Sequence, residues 1–78
     1  MDKKNAEVRK ELRELGSVKD LHDLIEMALL SEDEQKIIWM HYKEHKPMSF
    51  IANDLGMSDA TVSRKHARAL MKLGKVFI

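Results

Sequence analysis

The stretch Pro47-Met48-Ser49-Phe50-Ile51-Ala52-Asn53-Asp54-Leu55-Gly56-Met57-Ser58, running on through residues 59–73, decides the fold. Its first part reads as a short helix with Phe50 or Ile51 and Leu55 turned inward. Gly56 permits the positive φ of a sharp turn, and Ala52 is small enough for two helices to approach closely. Met57 plugs the corner between them, and Ser58 caps the next helix. In that helix Val62, His66, Ala69, Leu70 and Leu73 gather on one side, while Ala60, Ser63, Arg64 and Ala67 fall on the other. Lys65, Arg68, Lys72 and Lys75 form a flank between the two runs. Slim side chains on an outer face let a helix sink into a major groove. An arginine there can donate twice to guanine, and flanking lysines such as Lys72 can meet phosphates. The pattern is a helix-turn-helix, and it makes His66 an internal, hydrogen-bonded histidine.

Toward the N-terminus the periodicity stays helical. Residues 2–15 place Val8, Leu12 and Leu15 on one narrow apolar stripe that Gly16 ends. Ser17 is an N-cap for a second helix with Val18, Leu21, Leu24, Ile25, Ala28 and Leu29 facing inward. Ser31-Glu32-Asp33-Glu34 reads as a capping box with three acids in the first turn, where the helix dipole favours them. The helix it starts contains Ile37, Ile38, Met40, His41 and Tyr42. It stops by Lys46, because Pro47 disfavours the α conformation in the residue before it. The expected architecture is an all-α bundle of about five helices in a single domain over residues 1–78. Residues 1–30 form N-terminal helices, 31–73 contain the helix-turn-helix, and 74–78 form a tail.

Composition narrows the function. Seventy-eight residues leave no room for a second core, and the absence of cysteine excludes disulfides and thiolate metal sites. Apolar runs are too short for a signal peptide or a membrane span, which predicts a cytoplasmic protein. The formal charge of +1 hides an asymmetry. Residues 1–45 carry 8 basic and 11 acidic side chains, whereas residues 46–78 carry 6 and 2. After Asp59 there are no acids, as expected of a chain that presents one end to a polyanion. No nucleophile–histidine–carboxylate pattern and no glycine-rich phosphate loop can be read, so no enzyme activity is expected. His41 and His45 have a spacing that could hold zinc on a helix, but two ligands do not close a site. No metal or other cofactor is expected.

Several of these residues also carry a family resemblance. Leu30-Ser31-Glu32-Asp33-Glu34, Ile37-Ile38, Tyr42, Ile51-Ala52, Leu55-Gly56, Ala60-Thr61-Val62 and Ala69-Leu70-Met71-Lys72-Leu73 together resemble region 4 of bacterial sigma factors. They are similar also to the small sigma-like activators of phages and prophages of Gram-positive bacteria. The resemblance covers roughly residues 30–73. It implies that the last helix enters the major groove of promoter DNA and that RNA polymerase is a partner. Carried over position by position, it implies base reading by Asp59, Ala60, Ser63 and Arg64, and phosphate contacts from Ser49, Ser58, Thr61, Lys65 and Arg68. His41 stands where the family commonly has a basic residue, and Asp59 and Ser63 stand where it often has arginine. This points away from a housekeeping promoter sequence. Nothing resembles the promoter-melting part of a sigma factor. A regulator that borrows the DNA reader, or an excised domain, is expected rather than a complete initiation factor; the opening methionine and the first helix favour the regulator.

Taking Ile37, Ile38 and His41 as the inward direction puts Trp39 about 160° away. Trp39 is therefore either an interface anchor for polymerase or a second copy, or folded onto the N-terminal helix. The stripe Val8, Leu12, Leu15 and the terminal Val76-Phe77-Ile78 are candidate homodimer surfaces or core padding. One helix-turn-helix covers only about 600 to 1,000 Å² of its own surface on DNA, so a dimer or co-bound polymerase would help it. The competing reading makes the same scaffold a protein-interaction module that docks on polymerase or a sigma factor without reading bases.

Overall fold

Ile37, Ile51 and Val62 are fully buried around Ala52, and this cluster forms the corner of the helix-turn-helix. The computed structural model describes residues 3–15 and 17–76, with side chains from Asn5 onward. The order is α1 (Lys3–Glu14), α2 (Val18–Ala28), α3 (Glu32–Ile38), a π-turn (Trp39–Lys43), α4 (Met48–Leu55) and α5 (Asp59–Val76). The chain is all-α, with five α-helices and no strand among the described residues. Helix α5 is the hub and packs against α1, α2, α3 and α4.

Caps set the boundaries. The Ser17 hydroxyl accepts the Asp20 N–H at 3.1 Å. The capping box at α3 is complete: Glu34 N–H donates to the Ser31 hydroxyl at 3.3 Å, and Ser31 N–H donates to the Glu34 carboxylate at 2.8 Å. Helix α4 ends at Gly56, whose φ of 69° lies in the left-handed region. The next amide, Met57 N–H, returns to the Ala52 carbonyl at 2.8 Å, closing a Schellman-type cap. Met57 then packs on the corner cluster as expected.

A second core joins the N-terminal helices to α5. It contains Val8 and Leu12 of α1, Leu21 and Ile25 of α2, Leu30, Ile38, and Ala69, Leu70 and Leu73 of α5. Burying each such aliphatic side chain is worth about 1.5–3 kcal/mol. The homodimer reading of Val8 and Leu12 is therefore corrected, since both are buried against their own chain and Leu15 packs beside them. Val76 is half-buried; Phe77 and Ile78, like Asp2 and the expected terminator Gly16, lie outside the described residues.

Three further expectations are corrected. Leu29 is 83% exposed and Val18 47%, although both belong to the apolar stripe of α2. Helix α2 ends at Ala28 and Leu29 turns left-handed (φ 54°), which takes it off the stripe and lets Leu30 enter the core. Trp39 does not point to solvent. It is half-buried on the second core and borders a cleft with Ile25 of α2, because α2 covers the face that the wheel of α3 alone leaves open. Finally, the third helix does not run as one α-helix to Lys46. It loosens into the π-turn, with Glu44 N–H donating to the Trp39 carbonyl at 3.2 Å and Lys46 N–H reaching the Met40 carbonyl at 2.9 Å. His45 takes a left-handed φ of 59° between them.

A Cβ built on Gly56 would meet nothing within 4 Å, so a side chain there costs backbone conformation alone. Gly56→Ala should lower unfolding free energy by about 1–2 kcal/mol, and Gly56→Val by more, since β-branched residues tolerate positive φ least. Urea denaturation of the two variants measures the difference.

Candidate nucleic-acid interface

Helix α5 divides as its sequence suggests. Val62, His66, Ala69, Leu70 and Leu73 are buried, while Ala60, Ser63 and Arg64 of the outer face are exposed and Ala67 is half-buried; Arg68 of the flank is exposed as well. Asp59, Ser49 and Ser58 are exposed too, so all four positions expected to read bases are accessible, as are Ser49, Ser58 and Arg68 among those expected to meet phosphates. Ser58 caps α5 by accepting the Thr61 N–H at 3.1 Å, and its hydroxyl donates to Thr61 Oγ1 at 2.9 Å. The Arg64 guanidinium donates to the same Thr61 oxygen at 3.2 Å, which steadies the arginine over the first turn. Thr61 is half-buried and serves as this relay.

Two of the expected phosphate cations are engaged elsewhere. Lys65 Nζ lies 2.9 Å from Asp33, and Lys72 Nζ lies 2.7 Å from Glu34, whose side chain is 2% exposed. Lys72 is thus not a free cation of the α5 flank, and Lys65 is paired within the chain as well. Seven residues apart, the two lysines occupy one flank of α5, and α3 offers adjacent acids to that flank. Burial raises the Glu34 pKa, but the hydrogen bonds from Lys72 and Ser31 outweigh it and hold the carboxyl below its ordinary range. This leaves Arg64, Arg68 and Lys75 as exposed α5 cations with no ion pair among the described residues.

On the other side of α5 a polar network fills the junction with α1 and the π-turn. Tyr42 Oη lies 2.8 Å from His66 Nε2. Arg9 also hydrogen-bonds the phenolic oxygen, which leaves the hydroxyl proton for His66. Burial raises the Tyr42 pKa, and Arg9 and Arg13 oppose it. Burial, with His41 and Arg9 adding repulsion, pushes the His66 pKa down to about 4. His66 is therefore neutral, and it is internal and hydrogen-bonded as expected. His41 donates from Nδ1 to the Lys46 carbonyl at 2.9 Å. The π-turn and the left-handed His45 break the helical geometry on which the His41–His45 zinc spacing depends.

Sequence reasoning missed the Glu34–Lys72 pair and the Arg9–Tyr42–His66 network. A signal for the first was present, since adjacent acids opening one helix are complementary to two lysines on one flank of another. The second joins residues from three elements and left no local trace.

A comparison with family models matches residues 27–75 to Sigma-70, region 4. No curated protein and no solved structure matches the chain. The matched span contains α3 to α5 almost in full, and excludes α1 and nearly all of α2.

Two outcomes follow from the buried groups. Lys72→Ala strands a buried carboxylate and should cost about 2 kcal/mol, less than the 3–5 of a fully buried pair because Lys72 keeps partial solvent access; chemical denaturation beside Arg68→Ala, expected near neutral, measures it. For His66 the folded pKa lies below the unfolded 6.5, so the unfolded chain takes up the proton first. The stability held above pH 6.5 should fall by about 3 kcal/mol between pH 6.5 and 4, then level off for this group. Unfolding midpoints across that range should be steeper for the wild type than for His66→Gln.

Proposed function

The chain belongs to the sigma-70 region 4 family, and from that premise we propose that it is a sequence-specific double-stranded DNA-binding regulator of transcription. Helix α5 enters the major groove. Asp59, Ala60, Ser63 and Arg64 meet base edges, and Ser49, Ser58, Thr61 and Arg68 lie along the phosphates. The observation that carries this reading is the outward face of α5: small or cationic at Ala60, Ser63, Arg64 and Arg68, and exposed although the opposite face is the core of the molecule. Small residues admit close approach to the duplex, and Arg64 supplies the fork that guanine O6 and N7 accept. The role is non-catalytic, and promoter DNA in the bacterial cytoplasm is the expected partner.

A second reading, docking on RNA polymerase, has its own support in a cleft of about 410 Å³ between α2 and the α3–π-turn segment. Ile25, Trp39 and Met40 line it. Met27 of α2 is two-thirds exposed, so apolar surface on this helix is open to a partner. The two readings are compatible, since one concerns α5 and the other the opposite helices.

Selection of bound duplexes from a random pool, with and without polymerase, separates them. Enrichment of one motif by the protein alone supports direct reading, and enrichment only with polymerase supports docking without base recognition. On the selected duplex Arg64→Ala should cost about 1–3 kcal/mol and blur the sequence preference. Arg68→Ala should weaken all duplexes alike and lower the slope of log affinity against log salt by about one. Unchanged binding by Arg64→Ala would rule out the proposed docking of α5.

A further inference from the structure

Two clefts meet at His41, which lines both. One, of about 260 Å³, lies along the edge of α5 where Ser63 and Ala67 of its outer face meet His66 and Leu70 of its buried face, and includes Arg9 and His41. The other, of about 480 Å³, lies at the start of α4 and is lined by Arg13, His41, Tyr42, His45, Lys46 and Pro47. No carboxylate lines either cleft among the described residues, although the chain has 13 acids to 14 bases. Of the acids that open α3, Asp33 and Glu34 are engaged on the opposite flank of α5 by Lys65 and Lys72, and Glu32 pairs with Lys36 of its own helix. Arg9 and Arg13 are four residues apart on α1, so one face of that helix meets both clefts. Arg13 is exposed and makes no ion pair among the described residues. Lys46 is held with its ammonium 4.9 Å from the Phe50 ring centroid. His45 keeps an imidazole at the rim from a left-handed backbone that glycine would adopt more easily.

Helix α1 lies outside the span matched by the family. We propose that it extends the DNA footprint: Arg13, together with His45 and Lys46, takes backbone phosphates of the duplex next to the segment that α4 and α5 engage. The inference rests on the DNA reading of α5. In a helix-turn-helix the first helix crosses the backbone while the second enters the groove, so a cleft at the start of α4 faces the strand that the duplex presents there. Cations drawn from α1 and from the segment after the π-turn, with the concavity continuing to Ser63 and Ala67, fit an extended polyanion already seated on α5.

The test is duplex binding by the full chain, followed by fluorescence anisotropy across a salt series, on the selected duplex and on a scrambled one. Arg13→Ala should weaken both duplexes by the same factor, roughly three- to tenfold, and lower the salt slope by about one. Arg13→Lys should keep the slope, and Lys19→Ala, on exposed α2 surface away from the clefts, should change nothing. His45→Gly should raise the unfolding midpoint while lowering affinity, a divergence that a purely structural role would not produce. If Arg13→Ala matches wild type in affinity and slope while Arg64→Ala still loses its site, the α1 contact is wrong and the reading of α5 stands. A loss confined to the selected duplex would make Arg13 a base contact and overturn the phosphate assignment. Wild-type protein that ignores both duplexes at low salt would overturn both readings.

Discussion

A single carboxylate fixes how α5 sits. Glu34 Oε1 accepts the Ser31 N–H at 2.8 Å and the Lys72 ammonium at 2.7 Å, so the group that starts α3 also holds α5. A buried carboxylate is tolerated only with its lone pairs satisfied, and here two donors from different elements satisfy the same oxygen. The Asp33–Lys65 contact lies two turns along the same flank of α5. With that flank drawn to α3 and the apolar side buried, α5 has one rotational setting left, and it directs Arg64 and Arg68 to solvent.

The N-terminal helices complete this arrangement. A region of helix-turn-helix alone would leave Ala69, Leu70 and Leu73 of α5 partly bare, and Val8, Leu12, Leu21 and Ile25 supply the apolar surface that covers them. The same packing brings the other face of α1 to the π-turn, where Arg9 joins Tyr42 and His66. The wider turn and the left-handed His45 redirect the chain before Pro47, and the basic cleft at the start of α4 results from that change of direction. Fold stability and charge placement thus come from the same two helices.

Much of the architecture was legible locally. Helix caps, the glycine at the turn and the division of α5 into apolar and slim cationic faces involve residues within one or two turns of one another, and short-range hydrogen bonds and the helical period set them. Lys72 shows where local reading ends: on a wheel it belongs to a cationic flank, yet the acid that claims it is 38 residues away. Trp39 and Val8 show the same limit for apolar residues, since exposure depends on which other helix lies across the face.

By itself, then, the sequence determined that the chain is helical, where its helices start and turn, and which side of α5 is apolar, because these depend on φ/ψ preference, side-chain caps and spacing along one helix. Only the tertiary structure decided which cations remain available to a polyanion, where the π-turn redirects the chain, and that α1 lends Arg13 to the cleft at the start of α4 and Arg9 to its neighbour. Those outcomes depend on the crossing of helices distant in sequence, where one nearby carboxylate or one covering helix reverses what a lone helix would show.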